Sequence, residues 1–94
     1  MKITEIKKIE DCFDGSTVYG YTFDAVWTQD RIQQFRTLGN LDYFPDFPRP
    51  FFRVCQKNGV QIKGIQGDNN CRVIYPQKQK EVRKKEFEEA FMES

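Results

Sequence analysis

The side chains with the most chemistry to offer are cations on stiff or extended backbone. Arg49 stands between Pro48 and Pro50, and Phe51, Arg53, Lys63 and Arg72 follow within short apolar runs. Such groups bind anions, a guanidinium through its planar fork and an ammonium as a point charge. Phe51 adds apolar contact, and these five are the candidate binding residues. Acid–base chemistry has less to draw on. The chain has no histidine, so the commonest group that titrates near neutrality is missing. Glu10-Asp11 and Glu88-Glu89 are neighbours in sequence, which does not place either pair in one pocket. Asp11, Asp14 and Asp24 could meet around a hairpin, where aspartate ordinarily serves turn formation. Gly64-Ile65-Gln66-Gly67 lacks the following helix and the Lys-Ser/Thr pair of a phosphate loop. No catalytic residue is assigned, and a small enzyme is the third-ranked reading.

Three cysteines, Cys12, Cys55 and Cys71, lie far apart, with no CxxC spacing. A tetrahedral zinc site needs a compact set of four ligands, so no metal and no cofactor is expected. An odd thiol count, behind an N-terminus with no apolar leader, fits reduced cysteines in a cytoplasmic protein. No apolar run approaches the ~20 residues of a membrane span, and no membrane partner is expected.

Net charge is +1, but its distribution is uneven. Residues 1–30 hold three Lys/Arg against six Asp/Glu, residues 31–75 seven against three, and residues 76–94 five against five. The positive excess therefore falls on the stretch that carries the candidate cations. Ninety-four residues predict one domain with a single modest core, residues 1–94, in which 77–94 is a peripheral helix.

The elements that position these residues follow from periodicity. Ile3, Ile6, Ile9 and Phe13 recur near helical spacing, yet Asp14-Gly15-Ser16 is a turn signal followed by an aromatic strand, which favours a hairpin. Thr17, Tyr19, Tyr21, Phe23, Ala25 and Trp27 share one strand face, predicted to be buried with the tyrosine hydroxyls at its rim. Thr28 is an N-cap with Asp30 in the first turn, and Trp27 and Ile32 fit a hydrophobic staple. Gly39 takes the place of a left-handed C-cap residue. Pro45, Pro48 and Pro50 exclude a helix or a central strand from residues 41–50 and predict an extended segment across the surface or along a sheet edge. At least two of Phe44, Phe47, Phe51 and Phe52 are expected to be mainly buried.

For the next hairpin, a two-residue Asn58-Gly59 turn would scatter apolar residues over both faces. A three-residue loop, 57–59, with Gly59 left-handed, pairs Gln56 with Val60, Val54 with Ile62 and Phe52 with Gly64, and segregates them. A turn at Asp68-Asn69 then pairs Gly64 with Val73 and Ile62 with Tyr75. Phe52, Val54, Ile62, Val73 and Tyr75 form the core face. Arg53, Cys55, Lys63, Ile65, Arg72 and Ile74 form the other, with Arg53 beside Lys63. A helix over 77–92 closes the chain, with a Glu81–Lys85 pair and an apolar patch of Phe87, Ala90 and Phe91.

The expected fold is α+β: an antiparallel sheet of four or five strands with two helices, in the order β-β-α-β-β-β-α. The cations on the second face have three explanations: solvated side chains, cover by the glutamates of the last helix, or an external anion. The first functional expectation is a small non-enzymatic interaction module that binds another protein through residues 43–52 and the adjacent cationic face, since Tyr, Phe and Arg anchor interfaces. The alternative is a binder of an anionic ligand or single-stranded nucleic acid. Against the nucleic acid, the cations are interleaved mainly with the aliphatic Ile65 and Ile74, and besides them only Phe51.

Overall fold

The computed structural model of the protein describes residues 1–92. Six strands and two helices make an α+β fold: β1 (Ile3–Asp11), β2 (Thr17–Phe23), α1 (Gln29–Gln33, continued by a 3-10 turn Gln34–Thr37), β3 (Asn40–Phe44), β4 (Phe51–Cys55), β5 (Gln61–Ile65), β6 (Asn70–Tyr75) and α2 (Lys80–Met92). All six strands form one antiparallel sheet in the order β1-β2-β6-β5-β4-β3. The expected four or five strands become six because residues just ahead of the prolines are a strand. Asn40–Phe44 pairs with β4 along the sheet edge, where missing proline donors in the following turn disturb no inner ladder.

The first hairpin joins the same sheet. β2 pairs with β6 from Thr17↔Tyr75 to Thr22↔Asn70, and β1 covers the far edge with two bulges. Its turn is built as the Asp14-Gly15-Ser16 signal requires: Asp14 Oδ1 accepts from the Ser16 amide at 2.9 Å and its hydroxyl at 2.6 Å. The aromatic strand is shorter than its pattern. It ends at Phe23, and the chain then leaves the sheet, so Trp27 reaches the core from a loop.

The hairpin of β4 and β5 has the segregating register, with Val54↔Ile62, Phe52↔Gly64 and Gly59 at φ +94°. The next hairpin is shifted by two residues from expectation: Ile62 pairs with Val73 and Gly64 with Cys71. Four residues, 66–69, make that turn, with Gly67 at φ +93° and the Asp68 amide donating to the Ile65 carbonyl at 3.1 Å. A two-residue shift keeps every side chain on its face, so Phe52, Val54, Ile62, Val73 and Tyr75 are all buried.

Both helices lie on that apolar face. Thr28 caps α1 by accepting from the Arg31 amide at 3.2 Å. Ile32 and Phe35 from the α1 segment join Phe87 from α2 in the one core cluster, with Phe91 packed against it. Gly39 is not left-handed. It is required instead by close approach, since a Cβ there would sit 2.5 Å from the Cys55 carbonyl oxygen. In α2 the ion pairs are Arg83–Glu86, Lys84–Glu88 and Lys85–Glu89 rather than Glu81–Lys85.

Gly64 is a second enforced glycine. A Cβ there would come within 2.6 Å of the Phe52 ring, which is itself held by Trp27 at 5.2 Å and stacked on Phe35 at 5.7 Å between centroids. Gly64→Val is therefore expected to cost about 1–3 kcal/mol, the range for overpacking a filled core. In urea melts of the four proteins of a double-mutant cycle, Phe52→Leu should recover part of that loss. Strict additivity would mean that the ring is not the obstacle.

Candidate functional site

With both helices on one side, the other face of the sheet is left without a covering element among the described residues. Its side chains are set by strand alternation and register. One cross-strand row reads Asp42↔Arg53↔Lys63↔Arg72↔Gly20↔Lys7, from one edge of the sheet to the other. Arg53, Lys63 and Arg72 thus stand side by side on three successive strands, and all three are exposed. The row beside it carries Phe44↔Phe51↔Ile65.

The cations differ in their partners. Arg53 donates to Asp42 Oδ2 at 2.9 Å, and that carboxylate raises the guanidinium pKa further above its ordinary value. Arg49 projects from the turn over residues 45–50 and pairs with Asp68. Lys63 and Arg72 make no ion pair among the described residues. The glutamates of α2 do not cover them, because α2 packs on the opposite face. Glu88 accepts from the Tyr21 hydroxyl at 2.8 Å and pairs with Lys84 at 2.7 Å, both on the helix side. Phe87 and Phe91 decide this placement. Burying a phenylalanine is worth about 1.5–3 kcal/mol, against about 0–1 for an exposed ion pair.

The phenylalanines of residues 44–52 divide between the faces. Only Phe52 enters the core, at 1% exposure; the expectation that at least two are mainly buried is met with Phe44 and Phe51, which are covered on the other face. Phe44 and Phe51 are half-buried on the cationic face and stack with ring centroids 4.5 Å apart. Phe47 leans on Phe51 at 5.1 Å and remains 53% exposed. The cause is parity. Phe51 and Phe52 are consecutive on β4 and must point to opposite faces.

The turn that carries Phe47 and Arg49 is anchored to the neighbouring loop. The Gln66 amide donates to the Pro50 carbonyl at 2.8 Å, Tyr43 bonds Gln66, and Asp68 holds Arg49. The result is a trough of about 570 Å³ lined by Phe44, Arg49, Phe51, Arg53, Lys63 and Arg72, with Ile65 in its floor. A smaller depression of about 200 Å³ continues it past Arg72 to Lys7 and Ile9.

All five residues singled out from the sequence, Arg49, Phe51, Arg53, Lys63 and Arg72, meet in the trough. Sequence reasoning placed Phe44 and Phe47 within the docking segment 43–52 without singling them out as site residues, and it left out Lys7. Phe44 was accessible through β3 alternation, had a strand been recognised there. Lys7 was not, because its place on the cationic row depends on the pairing of β2 with β6. The two cysteines of the central sheet lie on opposite faces. Cys71 is buried on the core side, where desolvation pushes its thiol far up, and Cys55 lies on the cationic side. Comparison with protein families, with curated proteins and with solved structures finds no match to this chain.

Proposed function

We propose that the protein is a small non-enzymatic interaction module that binds an anionic partner across the helix-free face of its sheet. The observation that carries this reading is the adjacency of Lys63 and Arg72, direct cross-strand neighbours without a carboxylate between them among the described residues. Like charges so placed are destabilising by some tenths of a kcal/mol. An anion laid over them turns that repulsion into attraction, as does the Asp42 carboxylate for Arg53 at the end of the row. The rings of Phe44, Phe47 and Phe51 give the same partner an apolar footing, and the prolines around Arg49 lower the ordering cost of that wall. The groups assembled here are cations and phenyl rings, which hold a ligand rather than transfer protons. An acidic protein segment, docked on residues 43–52 and the cationic row, and a chain of phosphates both meet the charge requirement.

Stability and binding should respond to one substitution with opposite signs. Lys63→Gln is expected to raise the unfolding free energy by about 0.2–1 kcal/mol, the cross-strand range, while weakening capture of an anionic probe. Inorganic polyphosphate and poly-glutamate serve as probes in NMR titrations at low salt, with urea melts on the same samples. If Lys63→Gln binds both probes as the parent does, or if neither probe moves any resonance of β4, β5 or β6, the cationic row is not a binding surface.

A further inference from the structure

We infer, building on the anionic-partner reading, that the helix-free face takes single-stranded nucleic acid, with bases on the phenyl rings and phosphates along the cation row. Two rows carry the inference. Phe44 and Phe51 lie in one cross-strand row, with Phe47 against them, and Arg53, Lys63 and Arg72 lie in the next. Adjacent same-face rows on a sheet are about 7 Å apart, and adjacent strands about 4.8 Å, so the three cations span roughly 10 Å. A nucleotide carries a flat ring at one end and a charge at the other. A strand crossing the sheet sets its bases over one row and its phosphates over the other. Lys7 stands at the far edge of the same row, beyond Gly20, over which the Ile9 side chain lies.

The rings separate this partner from an acidic peptide. Rings partly open to solvent beside unpaired cations are what single-strand-binding surfaces provide, because every base has a face to stack. A duplex hides those faces and would meet the shallow sheet only through its phosphates. A peptide brings backbone donors and acceptors of its own. The central strands have none to return, since β4, β5 and β6 are paired on both sides. The free backbone lies only at the outer edges of β1 and β3, and β1 is broken by two bulges and lined with charge.

The test is fluorescence anisotropy of the full chain with labelled oligo-dT and oligo-U, a duplex of equal length, and poly-glutamate, each at several salt concentrations. Single strands should bind most tightly, with log affinity falling against log salt at a slope of about −2, the value for three phosphate contacts on a single strand. Removing the exposed ring with Phe47→Ala should weaken the single strand about tenfold and leave poly-glutamate unchanged. Lys63→Gln should flatten the salt slope by about 0.7. A preference for oligo-U over oligo-dT would place the 2′-hydroxyl in the site, and equal binding would leave only bases and phosphates there; either supports the inference. Poly-glutamate bound more tightly than either oligonucleotide would overturn the nucleic-acid inference while the anionic-partner reading stands. Oligonucleotide binding that ignores Phe47→Ala would overturn the base-stacking geometry. No binding of any probe would remove both.

Discussion

Trp27→Ala is expected to remove most of the fold's stability. The indole is 2% exposed, with ring centroids 5.3 Å from Phe23, 5.4 Å from Phe35, 5.2 Å from Phe52 and 6.3 Å from Phe91. It therefore joins β2, the α1 segment, β4 and α2. Its Nε1 donates to the Asn70 carbonyl at 2.8 Å, while its own amide and carbonyl bond Asp68 and Gly67 at 2.9 and 2.8 Å. Truncating a buried tryptophan to alanine costs about 3–5 kcal/mol, against about 5–15 kcal/mol for the whole of a small domain's stability. At about 4–8 °C per kcal/mol for this size, the midpoint should fall by roughly 12–40 °C. Trp27→Phe keeps a ring but leaves the Asn70 carbonyl without its donor, and should cost less. The loop that Trp27 braces supplies Asp68 to Arg49, so Trp27→Phe should also loosen the wall of the trough. Thermal and urea melts followed by far-ultraviolet circular dichroism decide the matter. A Trp27→Ala protein within about 1 kcal/mol of the parent would mean that the aromatic cluster does not organise the core.

Patterns shorter than a hairpin were legible in the sequence. The β4–β5 register follows from apolar segregation alone, and Thr28 and Asp14 act as local chemistry dictates. The β5–β6 register was legible only in parity. A shift of two residues leaves Val73, Tyr75 and Cys71 on the core side and Arg72 on the other, so hydrophobic pattern cannot distinguish the two pairings. Turn length decides between them, and Gly67 rather than Asp68-Asn69 sets it. The β3 strand was obscured by the prolines behind it, although Leu41 and Tyr43 alternate with Asp42 and Phe44 as an edge strand should.

The site shows the same division. Face membership of Arg53, Lys63 and Arg72 was readable from alternation within each strand. Whether that face is covered depends on α2, whose glutamates suit the cations and whose Phe87 and Phe91 suit the core. The two preferences compete for one helix, and apolar burial outweighs exposed ion pairs. The joining of β2 to β6, which brings Lys7 into line, is a contact between residues some fifty positions apart, for which no local signal exists.

Raising the pH should unfold the protein through groups on its helix side. Tyr21 and Tyr75 are fully buried with their hydroxyls 2.8 Å apart, and Tyr21 also donates to Glu88. Burial raises the pKa of both phenols far above the ordinary 10.0, and burial alone raises the Cys71 thiol far above 9.0. For an acid whose folded pKa is raised, the unfolded chain releases the proton first. The stability it contributes is complete below the unfolded value and is lost as pH rises past it. Cys71 should therefore begin to weaken the fold near pH 9 and the two tyrosines near pH 10. Each costs about tenfold in the folding equilibrium per further pH unit, so all three together cost about a thousandfold. Tyr75→Phe separates this from a general effect of alkali. It removes one titrating group and one hydroxyl contact while Tyr21 still reaches Glu88. At neutral pH it should be less stable than the parent by about 1 kcal/mol. Above pH 10 its stability should fall less steeply, by about one proton per molecule, and the two curves should converge. Urea melts across pH 7 to 11, with tyrosinate absorbance followed in parallel, give both slopes. Two of the four tyrosines should ionise only as the fold opens. Parallel pH curves for parent and Tyr75→Phe would show that this buried hydroxyl pair does not control alkaline unfolding.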